Sequence, residues 1–357
     1  MVTTIINPPT QDYPVLTSAI GPIKASTDKS KVLVEIVRDP EGEIDLFFST
    51  TLYPYDNIVE LNDIGSLIED RLRAVNRIWD MIEIRIDGAT AEFTALYCEY
   101  LLAPDFRHDT CFLCSAATSI VHRNSAISLA HWDNGSKEYQ VKVVGLDEKG
   151  KTVALSAVFY RTLESNHVSF SVNDILDFAL NRSSIETGDV ISSVSYFAIS
   201  HGAIQKVFYL MDHPFFLTFC FRNIFNAIEY VDIAGLATRI TKVNRDTAYV
   251  AGRMQQYDQT IERSFEMHTG PLTADQVKEI EQLVGSRTIY LCASDRDYRV
   301  MITDHTLEYD NDDESLPSAK FTFCFADKRP VLTSGDIGAL LPSGNHIFTH
   351  EFTAEFS

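Results

Sequence analysis

Alternation of apolar with polar residues recurs from residue 32 to residue 325, and it limits the possible fold more than any other feature of the chain. In Ile82-Glu83-Ile84-Arg85-Ile86 the apolar residues stand two apart, and in Phe321-Thr322-Phe323-Cys324-Phe325 the aromatic ones do. A strand turns successive side chains to opposite faces, so such runs put one apolar face on a core. Composition agrees, with 22 Phe and 15 Tyr beside 12 Pro and 2 Trp, because aromatic side chains suit a pleated, half-buried surface. The expectation is a mainly β (α+β) protein with multiple β-sandwich or barrel domains and short flanking helices. At 357 residues the chain is too long for one ordinary core.

Five segments follow from the pattern. Residues 1–30 carry Pro8, Pro9, Pro14 and Pro22 with no sustained period and read as an N-terminal arm. Residues 31–105 read as a β-rich domain with one helix. Strands are expected at 32–37, 44–48, 82–87 and 91–102, and the helix starts at a cap of Asn62 or Asp63 and carries Ile64, Leu67, Ile68, Leu72 and Val75 at helical spacing. Residues 106–215 read as a β-sandwich with strands at 113–121, 127–132, 139–144, 153–160, 168–172, 190–200 and 204–211 and a short helix at 173–181.

Residues 216–340 read as a β-sandwich plus helix. Strands are expected at 217–221, 228–233, 238–243, 248–250 and 261–267. Thr273-Ala274-Asp275-Gln276 is a capping box that opens a helix ending at Gly285. Strands at 288–292, 299–302, 306–309 and 319–325 follow. Residues 341–357 read as a C-terminal arm. The first and third domains share the order strands, helix, strands, which raises the expectation that they are related.

Fifty acidic against thirty basic residues give a formal charge of -20. That charge repels nucleic-acid phosphates and anionic membrane surfaces, so neither is an expected partner. No stretch is apolar enough to span a bilayer as a helix, and the N-terminus lacks the basic start and apolar middle of a signal peptide, so synthesis in the cytoplasm is expected. The six Cys are spread thinly along the chain, apart from Cys111 and Cys114. Cys220, between Phe219 and Phe221, reads as a reduced, buried thiol.

No motif of a catalytic or metal site stands out, and no enzyme activity, cofactor or metal is expected. Cys111-Phe112-Leu113-Cys114 has the spacing of half a zinc site, with His108 nearby, but a matching second pair is missing, so the two cysteines read as alternating strand residues. Asp310-Asn311-Asp312-Asp313-Glu314 is rich in oxygen ligands, yet Ser315 stands where a calcium-binding loop needs Gly, and the run reads as a solvated turn. The last residues place Phe348, Phe352 and Phe356 four apart, on one side of an extended chain. Three exposed rings are costly, so these residues are the candidates for a subunit interface, docking on a neighbouring copy.

The run Phe219-Cys220-Phe221-Arg222-Asn223-Ile224-Phe225-Asn226, then Tyr257-Asp258-Gln259, Phe265-Glu266-Met267, Thr269-Gly270-Pro271-Leu272-Thr273, Ile302-Thr303-Asp304 and the closing Phe321-Thr322-Phe323 with Phe325-Ala326-Asp327, together resemble tail-region proteins of phages and prophages of gut Bacteroides-like bacteria. The likeness is best over residues 216–330 and fainter around 112–132. It implies a structural virion protein of the tail or baseplate, distal-tail or hub-like, with a tail-tube-like C-terminal domain. The implied partners are copies of itself in a homo-oligomeric ring and other tail or baseplate proteins. It implies no catalytic residues. The rival expectation is a module that binds a host glycan or receptor, with Trp132 beside Asp133 and Asn134 as its platform.

Overall fold

The computed structural model describes residues 3–9, 14–38, 45–100, 111–132, 137–161, 167–183, 191–235, 237–293, 296–308 and 316–326. The fold is mainly β, with several sheets and three α-helices among those residues.

The first unit holds β1 (Thr4–Ile5), β2 (Val15–Leu16), β3 (Ile23–Ser26), β4 (Val32–Arg38), β5 (Asp45–Leu52), β6 (Ile58–Leu61), α1 (Ile64–Ala74), β7 (Trp79–Ile86) and β8 (Ala89–Leu96). A five-stranded sheet in the order β2-β8-β7-β4-β5 and a three-stranded sheet in the order β1-β3-β6 share a core with α1. The described part of the N-terminal arm lies against the first unit: Ile23 and Ala25 are buried, and β2 pairs in parallel with β8. Asp87 and Gly88, at φ 51° and 93°, form the two-residue turn between β7 and β8, and that backbone matches the right-handed twist of a hairpin.

Asp63 occupies the expected position before α1 but does not cap it. Its own φ of 57° is left-handed and its side chain accepts no bond from the helix. What holds this end is close packing: a Cβ on Gly65 would stand 2.2 Å from the backbone oxygen of Thr17. Ala is intrinsically better than Gly inside a helix by about 1 kcal/mol, yet here backbone meets backbone and neither can yield cheaply. Gly65→Ala is expected to lower stability by about 1–3 kcal/mol. A melting temperature equal to or above that of the parent chain would contradict the close approach.

The second unit holds β9 (Thr118–His122), β10 (Ala126–Ala130), β11 (Glu138–Leu146), β12 (Thr152–Tyr160), β13 (His167–Ser171), α2 (Val172–Ser183), β14 (Ser193–His201) and β15 (Ile204–Met211). Its five-stranded sheet runs β12-β11-β14-β15-β9, with β9 parallel to β15. The β10–β13 ribbon and α2 close the other side of a core that contains Tyr139, Val141, Phe170, Ile175 and Phe197. The strand expected at 113–121 begins only at Thr118, so Cys111 and Cys114 lie in irregular chain instead of a strand.

The third unit holds β16 (Phe216–Arg222), β17 (Ile228–Ala234), β18 (Thr238–Val250), β19 (Arg253–Pro271), α3 (Ala274–Gly285), β20 (Ile289–Cys292), β21 (Asp297–Glu308) and β22 (Ser318–Phe325). These strands make one seven-stranded antiparallel sheet in the order β17-β16-β20-β21-β22-β19-β18. Size and order differ from the sheet of the first unit, so the shared sequence of element types does not extend to topology. The capping box forms as expected: Gln276 N donates to Thr273 Oγ1 at 3.3 Å, and Thr273 N donates to Gln276 Oε1 at 2.9 Å. Val277, Ile280 and Leu283 of α3 are buried with Phe219, Phe321 and Phe323 of the sheet. Alternation that sends Phe219 and Phe221 inward turns Cys220 to the opposite face, where it is half-exposed and not buried between them.

A small apolar cluster joins the three units. Ile78, Leu96 and Cys98 of the first, Leu113 and Ala130 of the second, and Phe225 and Ala227 of the third are packed together.

Candidate functional site

The turn between β16 and β17 is built by its asparagines. Asn223 Oδ1 accepts from the backbone N–H groups of Phe225 and Ala227 at 2.9 and 3.1 Å, a side chain standing in for backbone as in an Asx turn. Asn226 adopts φ 58°, which asparagine tolerates better than most residues. The turn reaches outward to both other units: Asn223 Nδ2 donates to Leu113 O at 2.9 Å and Asn226 Nδ2 donates to Arg77 O at 3.0 Å. The Phe219–Asn226 string is thus the point where the three units meet.

Beside it, four carboxylates of the third unit hold residues 115–122 of the second. Glu229 accepts from Ser115 N at 3.0 Å and Ser115 Oγ at 2.5 Å. Asp275, in the first turn of α3, accepts from Thr118 N at 3.1 Å and Thr118 Oγ1 at 2.6 Å. Glu279 accepts from Ser119 Oγ. Asp232 accepts from His122 N at 2.7 Å and Thr218 Oγ1 at 2.5 Å.

One buried cation completes the set. Lys206 Nζ on β15 lies 2.9 Å from Glu229 Oε1 and 3.8 Å from Glu279 Oε1, and all three side chains are 2–3% exposed. Burial works against the Lys206 ammonium, but Cys114, Glu229 and Glu279 outweigh it and hold the pKa above the ordinary lysine value. Burial pushes the Cys114 thiol up to about 12, so at neutral pH Cys114 is uncharged and Glu229 carries the effect. Burial also raises Glu229, yet Lys206, Ser115 and Asn223 overcome it and leave its pKa below the usual carboxylate value. Glu279 is pushed up to about 8, burial prevailing over Lys206. At neutral pH Lys206, Glu229 and Glu279 are therefore one ammonium, one carboxylate and one carboxylic acid, and this buried trio is neutral. Closed to solvent and internally satisfied, it is suited to cohesion between units and has no room for a substrate.

A second feature stands apart from the body. The sheet supports β19 through β22 only at residues 265–271, whereas β18 and β19 pair with each other from Thr238↔Glu266 out to Val250↔Arg253. Among the described residues, 240–264 thus form a two-stranded ribbon with no third strand. Such a ribbon on its own is marginal in water. Val243 and Tyr249 fall by alternation on the same face as Phe265, Tyr249 pairs directly with Met254, and these three are 42%, 74% and 62% exposed. Residues 240–264 have Lys242, Arg245, Arg253 and Arg263 against Asp246, Asp258 and Glu262, a basic excess of one on a chain of formal charge -20.

The residues singled out by pattern fare unevenly. Phe348, Phe352 and Phe356, the Asp310–Glu314 run, His108, Asp133 and Asn134 all lie outside the described residues. Trp132 is not an open platform: its ring sits edge-on against Trp79 of the first unit, centroids 4.7 Å apart. Among the described residues no group of three or more His, Cys, Asp or Glu is arranged around a metal position, and no helix is long and apolar enough to cross a membrane. Sequence reasoning missed Lys206, although Ile204, Lys206 and Phe208 share one face of a strand and a lysine in that place signals a buried partner. It also divided the ribbon into separate short strands. Compared with known proteins, the chain matches no family model and no curated protein.

Proposed function

We propose that this chain is a structural virion protein of a phage tail or baseplate, synthesised in the host cytoplasm and assembled with copies of itself into a ring that connects the tail tube to the adsorption apparatus. The observation that carries the self-assembly is the ribbon at 240–264. It exposes Val243, Tyr249 and Met254 and has a basic excess of one, while the rest of the chain is strongly acidic. A closed ring is made by head-to-tail contacts, in which one surface of a protomer meets a different surface of the next. A basic arm and an acidic body are such a pair, and opposite charges steer the encounter. The assignment to a tail rests on the resemblance of residues 216–330. In this reading the protein acts by cohesion and turns over no substrate. The glycan-platform alternative loses support with Trp132 packed on Trp79.

Replacing residues 243–261 with Asn-Gly, which closes the hairpin after the Lys242↔Glu262 pair, is expected to convert the oligomer to monomer by light scattering. The melting temperature should stay within a few degrees, since the core lies elsewhere. Made separately in the parent chain, removal of residues 341–357 should weaken the oligomer if Phe348, Phe352 and Phe356 dock on a neighbour. An oligomer unchanged by both deletions rules out the assembly mode. Antibody labelling of intact particles tests the location separately, with label at the distal end of the tail expected and label elsewhere excluding it.

A further inference from the structure

A cavity of about 420 Å³ opens where the end of the first unit's sheet meets the β16–β17 turn and the C-terminal end of α3. Small-molecule sites span about 300–1,000 Å³. Arg222 lines it. Its Nη1 donates to Asn226 O at 2.7 Å and, at 3.5 Å, to Asn226 Oδ1. No carboxylate acts on this half-buried guanidinium among the described residues; burial pushes its pKa down, yet a guanidinium stays charged at any ordinary pH. A half-buried charge without a counter-ion is costly. Arg287, also in the lining, makes no hydrogen bond or ion pair with any described residue. Arg73, by contrast, is already committed to Asp70 and Glu99.

The carboxyl end of α3 supplies about half a negative charge, and the exposed Glu281 of the same helix also lines the cavity, but neither bonds to Arg222 or Arg287. Other lining groups offer bonds of a different kind. Glu99 uses Oε1 for both of its bonds, from Arg73 and Tyr97, and Gln282 uses Oε1 for Ile224 N at 3.2 Å. This leaves Glu99 Oε2, the Gln282 amide N–H groups, Thr288 Oγ1 and the Tyr100 hydroxyl with no partner among the described residues.

We propose that this cavity binds a small organic carboxylate carrying several hydroxyls, the class of the sugar acids. Arg222 meets the carboxylate with its planar fork, and Arg287 adds a second positive charge. Glu99, Gln282 and Thr288 bind the hydroxyls. Three arginines in the lining stand against two carboxylates, Glu99 and Glu281, and the ligand's carboxylate balances that excess in a protein whose overall charge otherwise repels anions.

Calorimetric titration of the full chain with glucuronate, glucose and inorganic phosphate tests this. Glucuronate is expected to bind at least about tenfold more tightly than glucose, which lacks the carboxylate, or phosphate, which lacks the hydroxyls. Arg222→Gln should remove most of the affinity, and Arg222→Lys should recover little, because an ammonium has no fork. Arg287→Gln, at an exposed position without bonds, keeps the fold intact and should weaken glucuronate several-fold. No binding of glucuronate, binding of glucose or phosphate with equal strength, or an affinity unchanged in Arg222→Lys and Arg287→Gln would each overturn the assignment.

Discussion

Lys206→Met should destabilise the protein by about 3–5 kcal/mol, the usual cost of removing one partner from a buried ion pair. Methionine fills the volume of the lysine stem, so the loss does not come from a cavity. It comes from Glu229, left with hydrogen bonds from Ser115 and Asn223 but no positive charge in a site 3% exposed. The carboxylate then either stays ionised at a high desolvation cost or takes up a proton. Lys206→Met combined with Glu229→Gln removes both charges and should restore most of the stability, since replacing a whole pair is tolerated where breaking it is not. Because Lys206 belongs to the second unit and both glutamates to the third, the single variant should also unfold in separate steps. Both tryptophans, Trp79 and Trp132, sit between the first two units, so fluorescence follows that part while circular dichroism follows all strands. Urea transitions that coincide in the parent and diverge in Lys206→Met are the expected result. Transitions that still coincide, with a shift below about 1 kcal/mol, would mean that the ion pair does not hold these units together.

Much of the fold was legible because strands and capped helices are local. The 204–211 strand coincides with β15, the capping box opens α3, and Asp87-Gly88 closes the hairpin it suggests. Local pattern failed where tertiary contact decides. Residues 1–30 show no sustained period and read as an arm, and within them β3 gains its order from β1 and β6 on either side. Asp63 has the chemistry of a cap but takes a backbone angle that turns its side chain away from the role. The ribbon does not show as one pair of strands in the sequence because Asn244, Arg245, Asp246 and Thr247 interrupt the apolar pattern; in a strand with no core under it, that pattern has no reason to persist.

The ionic junction was hidden for a different reason. Its members come from β15, β17, α3 and the segment at 115–122, and in a chain with fifty carboxylates no spacing marks the four that matter. The only local sign was Lys206 on an apolar face. The buried acids also recast the net charge of -20, since part of it is spent inside, where a carboxylate that accepts backbone N–H bonds serves as an adhesive between units. The positive ribbon shows the same economy in reverse, with cations concentrated where a second acidic surface can meet them.

Glu279 gives this junction a dependence on pH whose sign follows from its pKa. In the folded protein the group titrates near 8, against an ordinary value of 4.5 in the unfolded chain. Between those values the folded state holds a proton that the unfolded state has released, so stability falls as pH rises through that window and levels off above 8. At most this is about tenfold in the folding constant per pH unit. Glu229 acts oppositely: its lowered pKa contributes stability that is present above the ordinary carboxylate range and lost as pH falls below it. Glu279→Gln keeps an acceptor for Ser119 and cannot ionise. Urea midpoints at pH 5, 6.5 and 8 should therefore show the variant close to the parent at the acidic end and progressively more stable than it toward pH 8. Histidines and surface groups titrate equally in both chains and cancel in the difference. Parallel profiles for the two proteins would mean that Glu279 is ionised at neutral pH and that Lys206 is shared between two carboxylates.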